Sequence, residues 1–154
     1  MSERSSLEAY LREHGVLTYP IVGVSMRPLL RQDRDIVTIE RSPGRCSPGD
    51  VVLFRYGGRY VLHRVVEARE KDYVILGDNC VNFENGVTDA DILGVMTRFT
   101  RGGREHTADD PPYRLYTRWI LRTMRPRILW KKTIRHVRAV LVSAARKLSG
   151  REHR

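Results

Sequence analysis

Cysteine is scarce in this sequence, because the 154 residues contain only two, Cys46 and Cys80. Two cysteines allow at most one disulfide and cannot form the cross-linked framework of a small secreted domain. We therefore expect both thiols to be reduced. For Cys80 we expect a buried side chain that packs as a small apolar residue.

Long hydrophobic runs are also missing. No stretch approaches the 18 or more apolar residues that a membrane-spanning helix requires. The first fifteen residues, MSERSSLEAYLREHG, are polar and charged and lack the apolar core of a secretory signal. The sequence therefore predicts neither a transmembrane helix nor a signal peptide.

Positive charge is unevenly distributed, although the whole chain carries a net charge of +10. From Tyr113 onward there are 13 Lys and Arg residues and a single acid, Glu152. Residues 1–112 contain 15 basic and 17 acidic side chains, so this part is nearly neutral. The sequence thus predicts one domain with a basic tail, and such a tail suits an anionic membrane surface or nucleic acid.

Short β-type segments separated by turns fill the body of the chain. Each contains apolar and β-branched residues and is bounded by Gly, Pro, Asn or Asp, as expected for antiparallel strands. They predict a mostly β fold, with a compact antiparallel β-barrel-like domain over residues 16–110. The N-terminal segment 1–15 is expected to form a short helix over residues 5–14. The predicted strands cover residues 16–22, 35–40, 50–56, 59–68, 73–76 and 92–99.

Residues 111–154 form the predicted tail. Its pattern over residues 113–148 is helical and basic, and Pro126 is expected to divide it into two helices or to kink one. Apolar residues of its second half fall largely on one stripe, and basic residues occupy much of the rest. This composition is typical of an amphipathic helix that lies on a membrane, and the alternative is a helix packed on the β domain.

The segment 22–28 reads V-G-V-S-M-R-P and follows a predicted strand. Gly23 allows the backbone to approach a ligand closely. Ser25 is expected to be exposed where the strand leads into a short helix, at a position where backbone N–H groups can bind an oxyanion. From these residues alone, the alternative is a serine that caps the helix.

His63 lies in a segment whose alternation predicts a strand, with Val61, His63 and Val65 on one face. Imidazole titrates near neutral pH, so His63 is a candidate general base. A histidine among apolar neighbours is otherwise a satisfied core or edge residue. The residues alone leave both interpretations open.

A Gly-Asp-Asn turn follows the next predicted strand and contains Asp78. A carboxylate near the imidazole would orient the ring and stabilise the imidazolium ion. Glu84, Asp89 and Asp91 follow in a loop rich in acids and are alternatives for the same role. The other histidines are scattered and show no metal-ligand spacing, so we expect neither a metal nor a cofactor.

Taken together, four segments resemble the signal peptidase I superfamily of serine peptidases (S24/S26 type). They read G-V-S-M-R-P, P-G-D-V-V-L-F, V-L-H-R-V-V and G-D-N, in this order within residues 16–99. The similarity is greatest to the branch that uses histidine as the base. The first segment is also similar to the self-cleaving repressor peptidases (LexA type), which share the fold. The resemblance implies this peptidase fold and a serine endopeptidase that cleaves signal or leader segments by a Ser-His acyl-enzyme mechanism.

By position, the resemblance assigns Ser25 as the nucleophile and His63 as the general base. It matches Asp78 to the aspartate of the Gly-Asp-Asn box. The third catalytic residue stays open, with Glu84 or Asp89 as alternatives to Asp78.

The chain departs from the family at two points. The family often has a serine where this chain has Gly23, so backbone N–H groups at Gly23 and Ser25 are expected to bind the oxyanion. The family usually has an N-terminal membrane anchor, and here the tail is expected to replace it. No lysine lies in the strand of His63, which argues against Ser-Lys catalysis.

The implied partners are an extended peptide or pre-protein substrate and an anionic membrane surface, which residues 113–148 would contact. This predicts a peripheral, membrane-associated protein on the cytoplasmic side. One alternative is a non-catalytic peptide-binding module on the same fold, with Ser25 and His63 too far apart for a hydrogen bond. Another is a self-processing regulator whose basic tail binds nucleic acid. Long aliphatic stretches in the tail fit lipid better than a phosphate groove.

Overall fold

Eight antiparallel strands form one curled, half-barrel sheet in the computed structural model, which describes residues 3–42 and 44–149. A helix precedes the sheet and another follows it, so the fold is mostly β with a C-terminal helix. The elements are α1 Glu3–His14, β1 Val16–Pro20, β2 Ile36–Glu40, β3 Val51–Tyr56, β4 Arg59–Ala68, β5 Tyr73–Leu76, β6 Glu84–Val87, β7 Ile92–Arg101, β8 Arg104–Thr107 and α2 Pro111–Ser149.

The strands lie in the order β1-β2-β7-β3-β4-β5-β6, and β8 pairs with β7 beside this path. Strands β3 and β4 form a hairpin through Gly57 and Gly58, whose φ angles of 54° and 73° favour glycine. The register of this hairpin pairs Val52 with His63. The tight turn therefore fixes the position of His63 along the sheet.

Apolar side chains form two buried clusters against the sheet. In one, Leu11 of α1 and Tyr113 of α2 pack with Ile39 of β2. In the other, Phe54 of β3 packs with Ile75 of β5. Burial of one large apolar side chain stabilises the fold by about 1.5–3 kcal/mol, so these clusters hold the strands that carry the candidate site.

Six of the eight strands coincide with predicted ones. Strand β1 is shorter than predicted, because the chain leaves the sheet after Pro20. Strands β6 and β8 were not predicted, because their sequences, ENGV and REHT, are largely polar and show no apolar alternation. One of these missed strands carries a residue of the candidate site.

Helix α2 continues through Pro126 as one element, so of the two predicted outcomes, a division into two helices or a kink in one, the division is not observed. The contacts within the chain separate two compact units between Leu121 and Arg122, later than the boundary predicted at residue 110. Tyr113 and Ile120, near the start of α2, are buried. Within the described residues, no helix is both long enough and apolar enough to cross a lipid bilayer.

Candidate active site

His63 lies in the middle of β4 with 6 % of its surface exposed. Its ring is close to that of Phe54 on β3, and its Nδ1 atom lies 3.1 Å from Oε1 of Glu84 in β6. When a carboxylate accepts a hydrogen bond from the Nδ1–H group, Nε2 is the ring nitrogen that can take a proton from a nucleophile. His63 therefore has the orienting partner that a general base requires.

The pKa of His63 is raised from its ordinary value to about 9. Burial acts in the opposite direction, because desolvation disfavours the charged ring and lowers its pKa. The interactions with the Cys80 thiol and the Glu84 carboxylate outweigh burial and favour the imidazolium form. Oε2 of Glu84 is buried and has no hydrogen-bond partner among the described residues, so His63 is the cation that compensates this carboxylate.

Cys80 lies at the other edge of the His63 ring. A Cβ atom built on Gly77 would be 2.8 Å from Sγ of Cys80 and 2.8 Å from Nε2 of His63, so both atoms face the same small volume. Cys80 is half-buried and interacts with the imidazole, which means that the predicted role as a buried apolar side chain is wrong. The sequence does not predict that Cys80 lies near His63, because no local pattern of residues shows which side chain a cysteine after a Gly-Asp-Asn turn will meet in the fold.

Ser25 begins a series of turns, residues 25–29, and not the short helix that the sequence predicted. Two hydrogen bonds from Asn79 hold this segment: its backbone N–H donates to the Ser25 carbonyl at 2.7 Å, and its Nδ2 donates to the Val24 carbonyl at 3.1 Å. Asn79 directly precedes Cys80, whose Sγ faces the same small volume beside Gly77 as Nε2 of His63. The turn after β5 therefore connects the predicted nucleophile to the predicted base.

No hydrogen bond joins Ser25 to His63 within the described part of the chain. Such bonds are often long before substrate binds and shorten only in the Michaelis complex. Ser25 therefore remains a predicted nucleophile. What the structure adds is that hydrogen bonds from Asn79 attach the Ser25 backbone to the turn that borders His63.

The backbone around Ser25 supplies N–H groups for an oxyanion site. The N–H of Gly23 donates to Oε1 of Gln32 at 2.7 Å, so this predicted oxyanion donor is already engaged. The N–H groups of Ser25 and Met26 donate no hydrogen bond within residues 3–42 and 44–149. The Ser25 N–H therefore fits the predicted role better than that of Gly23.

Asp78 is buried in an ion pair with Arg64, the residue after His63. Nε and Nη2 of Arg64 each donate to one carboxylate oxygen at 2.8 Å, and the Tyr116 hydroxyl donates to Oδ2 at 2.9 Å. Arg64 also donates to the Gly49 carbonyl at 2.7 Å. Asp78 thus fixes the strand of His63 and the turn of residues 77–80 to one another.

The remaining acidic candidates contact other groups. Asp89 accepts a short hydrogen bond from the Tyr73 hydroxyl, and Arg45 donates to it at 2.9 Å. Burial and this bond raise the pKa of Tyr73 to about 12. Asp91 accepts hydrogen bonds from Thr88. Of the predicted alternatives, Glu84 is the one that contacts the imidazole.

An apolar groove of about 370 Å³ borders Ser25. Its lining includes Leu17 and Tyr19 of the edge strand β1, and Val61 and Leu62 of β4. A groove of this volume is large enough to bind several residues of an extended chain. An edge strand beside it offers unpaired backbone groups to such a chain.

Comparison with known proteins finds no family model that matches this chain and no curated protein that matches it. The described residues also contain no group of three or more His, Cys, Asp and Glu side chains arranged to hold a metal ion. The functional assignment therefore depends on the chemistry of the residues described above.

Proposed function

We propose that this protein is a serine endopeptidase of the signal peptidase type, with Ser25 as nucleophile, His63 as base and Glu84 as third member. The observation that carries the proposal is the 3.1 Å contact between His63 and Glu84, beside the turn that binds the Ser25 backbone. A nucleophile, a base and a carboxylate that orients the base are the elements of acyl-transfer catalysis.

In the proposed mechanism, the Ser25 hydroxyl attacks the scissile carbonyl carbon and its proton passes to Nε2 of His63. Glu84 stabilises the imidazolium ion that forms, and the Ser25 N–H donates to the oxyanion. Collapse of the tetrahedral intermediate breaks the C–N bond, and His63 returns the proton to the leaving amine. Water then attacks the acyl-enzyme through the same imidazole and releases Ser25.

The proposed substrate is an extended peptide that lies in the groove and pairs with the edge of β1. Main-chain hydrogen bonds to an exposed edge bind a peptide independently of its sequence, and side-chain pockets select among peptides. The groove lining is mostly apolar and includes Leu17 and Val61. We therefore expect apolar segments, such as those of signal or leader peptides, to be bound.

We also propose that the second half of α2 binds an anionic membrane surface. Helix α2 contains eleven Lys and Arg residues and no acid. Large apolar side chains on it are exposed to solvent, and they recur at helical spacing beside the basic residues. Among the side chains described between residues 122 and 143, the exposed large apolar ones are Leu129, Trp130, Val137, Val140, Leu141 and Val142.

The apolar part of that composition favours lipid over nucleic acid as the partner, whereas the basic part suits both. Basic residues attract anionic headgroups, each contributing about 1 kcal/mol near the surface. Exposed aliphatic and indole side chains gain free energy only where they enter the acyl boundary of a membrane. A phosphate groove in nucleic acid would leave these apolar side chains in water.

The peptidase proposal is tested with a serine-directed acylating probe, followed by identification of the labelled residue. We expect the label on Ser25, its loss in Ser25→Ala and His63→Ala, and its persistence in the control Ser42→Ala. A label on Cys80 would replace the serine mechanism with a cysteine mechanism. Absence of any label, with retained binding of an apolar peptide, would instead support a non-catalytic peptide-binding module.

The membrane proposal is tested by sedimentation with vesicles. We expect binding to vesicles that contain phosphatidylglycerol, and little binding to pure phosphatidylcholine. Replacing Leu129, Trp130 and Leu141 together with Gln should weaken binding by more than tenfold. Salt-dependent DNA binding that survives this triple replacement would overturn the lipid assignment.

A further inference from the structure

The N–H groups of Ser25 and Met26 belong to two successive peptide units, and each unit also contains a carbonyl. The Ser25 N–H shares its plane with the Val24 carbonyl, and the Met26 N–H shares its plane with the Ser25 carbonyl. Both units are trans, and in a trans unit the N–H and the C=O point in opposite directions. The groups that bind the two carbonyls therefore determine where the two N–H groups point.

Asn79 binds both of these carbonyls. Its side-chain Nδ2 donates to the Val24 carbonyl at 3.1 Å, and its backbone N–H donates to the Ser25 carbonyl at 2.7 Å. A carbonyl oxygen only accepts hydrogen bonds, so the amide group that faces Val24 is the NH2 and not the oxygen. Both N–H groups consequently point away from Asn79, on the same side of the segment.

The segment is closed as a turn, because the Arg27 N–H donates to the Val24 carbonyl at 3.2 Å. Ser25 and Met26 lie at the centre of this turn, and in the described part of the chain their N–H groups donate to no acceptor. Both residues line the apolar groove. Asn79 is not part of that lining, as expected of a residue that binds the other face of the turn.

Asn79 is itself held in place by the residue before it. Asp78 is 4 % exposed and accepts two hydrogen bonds from Arg64, each of 2.8 Å. Arg64 follows His63 in β4. An amide fixed in this way loses little freedom when it binds a neighbouring carbonyl, so its hydrogen bonds can set a precise orientation.

We infer that Asn79 is the positioning residue of the oxyanion site, because it turns the N–H groups of Ser25 and Met26 toward the carbonyl oxygen of a bound peptide. This role rests on the proposed peptidase function. Negative charge develops on that oxygen in the transition state, and donors that are already oriented stabilise it without rearrangement. Gly23 has no side chain to assist them, so backbone orientation matters more in this chain.

Replacing Asn79 with Ala or Asp tests the donor role, because neither side chain can donate to Val24 and Asp keeps the shape of Asn. We expect both variants to lower kcat for an apolar peptide by about tenfold to hundredfold. KM should stay within about a factor of three, because the lost stabilisation acts only in the transition state. A peptide boronic acid, which resembles the tetrahedral intermediate, should bind both variants about tenfold more weakly.

Asn82→Ala is the matched control, since Asn82 is also an exposed asparagine near this turn. It should leave kcat, KM and boronic acid binding unchanged. A higher KM with unchanged kcat in Asn79→Ala would overturn the positioning role and assign Asn79 to peptide binding. Full activity of Asn79→Asp would also overturn it, because the carboxylate cannot donate to Val24.

The orientation is measured without catalysis from the backbone amide resonance of Ser25 in isotopically labelled protein. We expect Asn79→Asp to shift this resonance and that of Met26, whereas Asn82→Ala leaves both in place. An unshifted Ser25 resonance would overturn the positioning role even in an active protein. A parent protein that cleaves no peptide and binds no boronic acid would refute the peptidase and the oxyanion role together, and a shifted resonance would then show that Asn79 still orients the turn.

Discussion

Nδ1 of His63 and Oε1 of Glu84 lie 3.1 Å apart, although one residue is in β4 and the other is 21 positions later in β6. Both side chains are largely buried, with 8 % and 16 % of their side-chain surfaces exposed. An ion pair shielded from water to this degree is stronger than one at the surface. Glu84 is therefore the carboxylate best placed to control the protonation and orientation of the imidazole.

Replacing Glu84 with Gln should reduce kcat by about 10²–10⁴-fold, because the imidazolium loses its anionic partner and the ring loses its orientation. Steady-state cleavage of an apolar peptide measures this effect. Asp89→Asn is the control and should leave kcat within a factor of two or three. A larger loss in Asp89→Asn than in Glu84→Gln would make Asp89 the third catalytic member.

The kcat/KM of the protein should increase with pH up to about pH 9. The pKa of His63 is raised to about 9, so at pH 7 only about 1 % of the imidazole is in the neutral form that accepts a proton. Activity below pH 9 is expected to grow about tenfold per pH unit. In Glu84→Gln and in Cys80→Ala the inflection should move to lower pH, because each change removes a group that favours the imidazolium.

The pH profile is measured as kcat/KM, which reports ionisations of the free enzyme. A constant rate between pH 6 and 9, or an inflection that Glu84→Gln leaves in place, would contradict His63 as the base. Tyr73, whose pKa is raised to about 12, titrates above this range and does not interfere.

Replacing Asp78 with Ala should destabilise the fold by about 3–5 kcal/mol, because Arg64 would be left buried and unpaired. The exposed residue Asp109 provides the control, and Asp109→Ala should change the free energy of unfolding by less than about 0.5 kcal/mol. Urea titration measures both. A loss of activity in folded Asp78→Ala without loss of stability would instead assign Asp78 to catalysis.

Gly77→Ala should reduce activity strongly, because its new Cβ would lie 2.8 Å from both Nε2 of His63 and Sγ of Cys80. The side chains must then move apart, and the base loses its position. Gly44→Ala is the matched control, since nothing lies within 4 Å of a Cβ at that position. Equal activities of the two variants would show that the volume beside Nε2 is not needed for catalysis.

Sequence patterns predicted the strands that bury apolar side chains, including β4 and the position of His63. They failed at β6, because a short polar strand has no apolar period, and this is the strand that supplies Glu84. The pattern also gives no sign that Arg64 is buried, because an arginine in an alternating strand usually lies on a solvated face. It is buried because Asp78, which the fold brings next to it, neutralises its charge.

The partnership of Cys80 with His63 depends on where the turn after β5 lies, and no local pattern encodes that position. Sequence composition did identify both cysteines as free thiols, which the structure bears out. It could not distinguish them, because burial and an adjacent imidazole arise only from the tertiary fold.

Arg64 also donates to the Tyr113 and Thr117 hydroxyls in the first turns of α2. A shortened protein that stops at residue 110 would therefore deprive this guanidinium of two partners and expose a core that Tyr113 covers. A protein cut after residue 121 would keep all of these contacts. Anyone who wishes to study the β domain without the basic extension should end the protein there, because the beginning of the helix completes the packing of the β domain.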